Sequence, residues 1–175
     1  MESTIPAPPS RRYFPQRVRL TILTLHIMMS VGLLGDSAGF LAVAIRAANS
    51  PDREAVLQLV GTLNMFSLVF GIPLSFGALI TGILLGLGSK WGLFRYPWVA
   101  AKLLLIVSVM AVGGLVIGPT VDAILSGRGS TTGPLIAAAA YDVIALGLAT
   151  VLSVFKPGRA FRASPAHGRL PLAIH

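Results

Sequence analysis

The chain has 175 residues, enough for one domain, and its composition is that of a membrane protein. Hydrophobic residues make up 54% of it and charged residues only 11%, whereas about a quarter of the residues in an ordinary soluble domain are charged. Because the sequence contains no Cys, it excludes disulfides, thiolate metal sites and a cysteine nucleophile. The formal charge is +8, and the basic residues border apolar segments, which indicates membrane topology rather than nucleic-acid binding.

Four apolar segments predict four transmembrane helices, at about residues 20–45, 65–88, 98–118 and 133–155. Each is close to or above the roughly 20 residues that cross a bilayer. Each must be helical, because lipid offers no partner for an unpaired backbone group. We therefore expect an all-α, integral membrane four-transmembrane-helix bundle over residues 18–155. It is flanked by an N-terminal tail rich in Pro and Arg at 1–17 and a basic C-terminal tail at 156–175.

Basic residues predict the orientation of this bundle. They cluster before span one, between spans two and three, and after span four: Arg11, Arg12, Arg17, Arg19, Lys90, Arg95, Lys156, Arg159, Arg162 and Arg169. All three clusters fall on one side of the bundle, and the positive-inside rule places that side, with both termini, in the cytoplasm. We expect a multi-pass protein of the bacterial inner (cytoplasmic) membrane that contacts the lipid bilayer and no nucleic acid.

The sequence also predicts local features of spans two and three. Ser50 followed by Pro51 predicts a helix with Ser50 as the N-cap and Pro51 at the first helical position. Gly71 and Pro73 predict a kink in span two, and Gly118-Pro119 is expected to close span three.

Small residues recur about one turn apart in the first three spans. The pairs are Gly35 and Gly39, Gly82 and Gly86, and Gly114 and Gly118. Such pairs let helices approach closely. Two interpretations stay open: packing between helices of one chain, and assembly with other membrane-protein subunits or with a second copy.

Four ionisable side chains lie within the spans. His26 and Lys102 fall at similar depth in the cytoplasmic half, and Asp36 and Asp142 both fall in the outer half. Such groups are expected to face the bundle interior, or, for Lys102, to extend to the interface. At helical spacing one arc of span one collects these residues: Ile22, His26, Met29, Ser30, Leu33, Asp36 and Ser37.

One string matches the nucleophile motif G-x-S-x-G of serine hydrolases, Gly35-Asp36-Ser37-Ala38-Gly39. The motif requires a strained turn and a nearby base, but this string lies inside an apolar helix with His26 about three turns away. We therefore predict no catalytic residue and no metal site. Enzymatic activity stays an open question, with this evidence weighing against it.

Three strings carry a family resemblance: Leu25-His26, the segment Tyr96-Pro97-Trp98-Val99-Ala100-Ala101-Lys102-Leu103, and Gly118-Pro119. Over residues 18–155 the chain resembles a bacterial family of small predicted integral membrane proteins of unknown function. More distantly it is similar to the copper-resistance D-type and protoporphyrinogen-oxidase J-type four-helix membrane proteins. In the oxidase family, a first-helix His and a W-x-H-x-K string are associated with haem b. The resemblance implies His26, Trp98 and Lys102 as cofactor-binding candidates, with Ala100 in place of the second His.

Three functional hypotheses follow from these observations. The first is a non-catalytic accessory or scaffolding subunit that packs against other membrane proteins. The alternative is a redox protein that binds haem or porphyrin through His26 and Lys102. A third is a small proton or cation transporter that uses Asp36 and Asp142.

Overall fold

The computed structural model describes residues 15–88, 97–129 and 131–155, and the regular structure in these ranges is helical. The α-helices are α1 (Gln16–Ala48), α2 (Arg53–Phe66), α3 (Ile72–Leu87), α4 (Pro97–Val112), α5 (Gly118–Leu125) and α6 (Gly133–Phe155). Two π-helical segments, π1 (Ser67–Gly71) and π2 (Gly113–Ile117), join α2 to α3 and α4 to α5. Residues 1–14 of the predicted N-terminal tail, the predicted C-terminal tail and the basic cluster of Lys90 and Arg95 lie outside the described residues, whereas Gln16 and Arg17 belong to α1.

Counting α2–π1–α3 and α4–π2–α5 each as one continuous helix, the described ranges contain four helices that are long and apolar enough to cross a membrane. They are Gln16–Ala48, Arg53–Leu87, Trp98–Leu125 and Gly133–Phe155. The all-α architecture with four spans is therefore confirmed. Span four coincides with its prediction. Spans one to three all extend beyond the apolar segments that predicted them.

Two predicted helix boundaries are wrong. Helix α2 is capped by Asp52, whose carboxylate accepts hydrogen bonds from the backbone N–H groups of Glu54 and Ala55. Ser50 is not the cap, because α2 begins only at Arg53; its hydroxyl donates to the carbonyl of Arg46, at the end of α1. Span three does not end at Gly118-Pro119 but continues as α5 to Leu125.

The two π-helical segments explain how prolines fit within spans two and three. A proline lacks an N–H and clashes with the carbonyl four residues before it. For Pro73 that residue is Val69 in π1, and for Pro119 it is Leu115 in π2. The wider π turn accommodates the ring without ending the helix. A π segment thus lies where Gly71 and Pro73 predict a kink, and the kink itself stays a prediction.

Span one is central to the packing. It contacts α2, α3 and α6, while α4 packs against α6 and α3, and α2 packs against α5. The polar arc predicted for span one is its inner face, with Leu33 and Ser37 buried and His26 and Asp36 half-buried. A core of buried side chains closes one end of the bundle around Phe40, Ala44, Val60, Leu63, Val121 and Leu135.

Candidate functional site

A cavity of about 390 Å³ lies between the four spans at the level of the two π segments. Span one contributes Asp36 and Ser37, and span four contributes Asp142. Its polar lining consists of Asp36, Ser37, Asn64, Ser67, Ser75 and Asp142. The two acidic residues, predicted at similar depth, thus line one space.

Each of the two aspartates has a carboxyl oxygen without a partner. Oδ1 of Asp36 and Oδ1 of Asp142 are buried and make no hydrogen bond to the described residues. Asp142 is only 7% exposed. A buried, unpartnered carboxyl oxygen is costly, and native proteins satisfy most such atoms. Two of the residues that line the cavity, one from α1 and one from α6, therefore each carry an unsatisfied carboxyl oxygen.

A glycine in π1 makes room for one of these carboxylates. A β-carbon built on Gly71 would lie 3.4 Å from Oδ2 of Asp36. Even a methyl group would therefore touch the carboxylate, and a larger side chain would displace it. The absence of a side chain at Gly71 lets Asp36 sit against the π segment.

The cavity has a mouth between spans two and three. Leu68 and Phe76 of span two line it and are 58% and 51% exposed, and Gly114 and Gly118 of span three line it and are exposed. Spans two and three pack together where α2 meets α5 and where α3 meets α4, on either side of the π segments. Because these exposed residues lie within apolar spans, the mouth faces the hydrocarbon of the bilayer.

His26 takes part in a separate polar contact between α1 and α3. Its Nδ1 lies 3.1 Å from the carbonyl oxygen of Ala78 and 3.0 Å from Oγ1 of Thr81. The Thr81 hydroxyl donates to the carbonyl of Gly77, and a carbonyl can only accept. The proton therefore belongs on Nδ1, which donates to both oxygens and leaves Nε2 as an acceptor.

Lys102 and Trp98, two of the cofactor-binding candidates, lie together on span three. The Nζ of Lys102 is 4.7 Å from the centre of the Trp98 ring and donates to Oγ of Ser153 on α6 at 3.2 Å. His26 is hydrogen-bonded to α3, whereas this contact joins span three to span four. Neither His26 nor Lys102 lines the 390 Å³ cavity.

A family model with the description "Predicted integral membrane protein (DUF2269)" matches residues 20–124, which is more than half of the chain. The chain belongs to this family. That result confirms the resemblance to integral membrane proteins of unknown function, but nothing supports the more distant one to the copper-resistance and oxidase proteins. No curated protein and no solved structure matches. The matched part of this DUF2269 chain includes Asp36 and both π segments, whereas Asp142 lies beyond it.

The small-residue pairs of the DUF2269 chain have different surroundings. A β-carbon on Gly82 would lie 3.2 Å from Cε1 of His26, and one on Gly39 would lie 3.8 Å from the Phe66 ring. Gly86 follows Gly82 by one turn of α3.

At other glycines of these pairs, a side chain would meet no atom of another helix. A β-carbon on Gly35 or Gly114 would meet no atom within 4 Å, and one on Gly118 would meet only the carbonyl of Gly113 in its own span. Gly35 and Gly114 therefore do not pack closely against another of the described helices.

The serine-hydrolase string also has a defined place. Gly35 to Gly39 lie within the uninterrupted helix α1, with Ser37 buried. A strained turn is therefore not found at this serine. Among the described residues, no three His, Cys, Asp or Glu side chains come together as a metal site would require.

Sequence reasoning missed the cavity and its mouth. Spans two and three share a sequence feature that could have located them. Gly71 and Gly118 each lie within two residues of a proline inside an apolar span. Because a proline in a helix interior must be accommodated, two such places at similar depth indicate two widened turns facing one space.

Proposed function

We propose that this DUF2269 protein binds a monovalent cation, which includes the proton, at Asp36 and Asp142 within the membrane and carries it across. One observation supports this most directly: two aspartates from different helices line the same cavity, and each has a buried carboxyl oxygen without a hydrogen-bond partner among the described residues. The proposal develops the third hypothesis from the sequence.

The energetic argument concerns the cost of acidic groups in hydrocarbon. An Asp at the centre of a membrane helix costs about 2.5 to 3.5 kcal/mol on insertion scales, and such groups typically mark ion or substrate pathways. Packing alone does not require them, since an apolar residue would fill the same place at lower cost. A cation bound in the cavity would compensate the negative charge of the two carboxylates.

The π segments add a second argument. Irregular helices at mid-membrane depth are tolerated where they line a cavity, and transporters place substrate sites at such breaks. Both π1 and π2 contribute lining residues, among them Gly71 and Gly113. The breaks and the acidic groups thus coincide in one place.

The proposal is tested with the full chain reconstituted into vesicles. Protons, Na⁺, K⁺ and the organic cation phenylbutyltrimethylammonium are offered in turn, and the charge moved is measured on a solid-supported membrane. We expect at least one of them to give a current that Asp142→Asn and Asp36→Asn reduce at least tenfold. The control is Asp122→Asn, because Asp122 is exposed and paired with Arg128 at the helix end. Equal currents in all variants, or none above empty vesicles for any cation, would overturn the proposal.

The accessory-subunit hypothesis stays a second candidate, and one observation favours it. Gly35, Ala38 and Ala42 form an exposed strip of small residues on α1. Such a strip allows a helix of another subunit or of a second copy to approach closely. Cross-linking in native membranes followed by mass analysis tests this, with Gly35→Leu expected to remove the cross-linked partner. An unchanged cross-linking pattern in Gly35→Leu would contradict it.

The haem hypothesis is the least supported by the geometry. Nε2 of His26 is free to act as a ligand in the tautomer assigned above, but a carbon of the same ring lies against Gly82. The large cavity is lined by neither His26 nor Lys102, so these residues do not present a ligand to it. A Soret band in the purified protein that His26→Ala removes would restore this hypothesis.

A further inference from the structure

We infer that the cation taken by the cavity of Asp36 and Asp142 is a lipophilic organic monocation, and that it enters sideways from the bilayer. This inference rests on the proposed function and names its substrate class. It is carried by three features: the direction of the mouth, the apolar walls, and the composition of the polar groups.

The mouth determines where a ligand comes from. Its rim consists of exposed apolar side chains of span two, such as Leu68 and Phe76, and of the bare backbone at Gly114 and Gly118 of span three. These positions lie within the apolar spans, where the surrounding solvent is acyl chains. An inorganic ion would have to shed its hydration shell in lipid to use this entrance, whereas a cation with an apolar body is concentrated there.

The walls determine what fills the cavity. Beside the aspartates, the lining includes Leu33, Phe40 and Val109, which are buried core residues. Ligand sites for small organic molecules are mostly apolar with a few polar groups and measure about 300 to 1,000 Å³. A cavity of about 390 Å³ is therefore the size for a small organic cation. The Phe40 and Phe76 rings also line it, and aromatic faces attract organic ammonium groups.

The polar groups favour an organic ammonium over a metal ion. Metal ions need several oxygen ligands in place of their water, six to eight for Ca²⁺. Two carboxylates from α1 and α6 supply charge, and the other polar lining residues, Ser37, Asn64, Ser67 and Ser75, are neutral. Within the described ranges no cluster of three acidic or imidazole side chains is found. A tetraalkylammonium needs charge compensation and apolar contact, and both are present.

The experiment compares two ligands of the same shape. Full-length protein in lipid nanodiscs is dialysed against labelled phenylbutyltrimethylammonium, or against its uncharged isostere in which carbon replaces the nitrogen. Empty nanodiscs correct for partitioning into lipid. We expect saturable binding of the cation at one site per chain, at least tenfold weaker binding of the isostere, and at least a tenfold loss for the cation in Asp142→Asn.

A variant at the rim tests the lateral entrance. Gly114→Leu has room for its side chain, since a β-carbon at Gly114 meets no atom within 4 Å, and the new side chain would stand in the mouth. We expect at least tenfold slower association of the cation in stopped-flow measurements. The matched control is Gly147→Leu, because Gly147 is equally open but lies on α6 away from the cavity. Size-exclusion chromatography establishes that both variants are folded.

The outcomes separate this inference from the proposed function. Equal binding of the cation and its isostere, or unchanged binding in Asp142→Asn, overturns the lipophilic cation as substrate. If the organic cation fails while protons, Na⁺ or K⁺ still give a current that depends on Asp142, the inference falls and the proposed function stands. If no cation binds or moves, both fall. An unchanged association rate in Gly114→Leu overturns the lateral entrance alone.

Discussion

Asp36 on α1 and Gly71 in π1 approach each other so closely that Oδ2 of Asp36 would lie 3.4 Å from a β-carbon on the glycine. We expect Gly71→Leu to push this carboxylate out of position and to weaken binding of the organic cation at least tenfold, or about 1.4 kcal/mol. Gly71→Ala adds only a methyl group at contact distance and should have a smaller effect. The measurement is the same equilibrium dialysis in nanodiscs.

The control for this prediction is Gly61→Leu on the same span. A β-carbon at Gly61 meets no atom within 4 Å, and Gly61 does not line the cavity. This variant should bind the cation like the parent. If Gly71→Leu is folded and also binds like the parent, Asp36 is not part of the site.

The His26 contact is expected to stabilise the bundle. Its Nδ1–H bridges α1 to Ala78 and Thr81 on α3. Hydrogen bonds between membrane helices contribute about 0.6 kcal/mol on average and up to about 1.7. His26→Ala should therefore lower the free energy of unfolding by about 1 to 2 kcal/mol, which includes the lost packing against Gly82. Unfolding in mixed detergent micelles measures this.

Thr24→Ala is the matched variant for His26→Ala. Thr24 is exposed two residues before His26 and donates only to the Leu20 carbonyl in its own helix. Its substitution should change stability by less than about 0.5 kcal/mol. Equal stability of His26→Ala and the parent would mean that the contact does not hold α1 to α3.

The bundle followed from the sequence more readily than the site did. Span four begins as predicted because Gly133-Pro134 opens an uninterrupted apolar run. The similar depth of Asp36 and Asp142 followed from counting turns. The cavity between them could not be predicted in this way, because it depends on how Pro73 and Pro119 are accommodated. A widened turn does not change the hydrophobic periodicity of a sequence.

Helix caps illustrate a second reason why sequence reasoning fell short. Ser50 and Asp52 are both good N-cap residues, and the sequence alone does not decide between them. Asp52 is the cap because α2 begins at Arg53, while the Ser50 hydroxyl bonds back to the Arg46 carbonyl at the end of α1. Which residue caps α2 thus depends on the conformation of the short loop between the two helices, and the residue types alone do not determine it.

The cap itself gives a prediction about stability. Asp52→Ala removes the acceptor for the N–H groups of Glu54 and Ala55 and should destabilise the protein by about 1 kcal/mol. Ser50→Ala removes only a bond to the end of α1 and should cost less. Thermal unfolding followed by circular dichroism compares the two. A larger loss of stability in Ser50→Ala than in Asp52→Ala would mean that Ser50 is the cap.

The orientation in the membrane is a prediction from the positions of the basic residues. With Arg17 and Arg19 before span one and the tail cations after span four, both termini should face the cytoplasm. A fluorescent reporter fused after His175 that matures only in the cytoplasm should be bright. Alkaline phosphatase inserted after Gly127, in the turn that follows α5, should be active in the periplasm. The opposite pattern would invert the topology.

Substitution of glycine by leucine is expected to have opposite effects at a glycine that contacts another helix and at one that does not. Gly82 lies under His26, with a β-carbon there 3.2 Å from Cε1, so Gly82→Leu must displace the imidazole and separate α1 from α3. We expect this variant to lose folded protein, measured as the monodisperse fraction in size-exclusion chromatography.

Gly35 sits on the outside of α1 with open space around it. Gly35→Leu should therefore leave the isolated chain folded and change only contacts with another molecule, because leucine blocks close approach of a helix. Measuring both variants in detergent and in native membranes separates packing within the chain from assembly. If Gly35→Leu destabilises the purified monomer as strongly as Gly82→Leu does, this face of α1 is packed within the chain. The expectation that Gly35 faces open space would then be wrong.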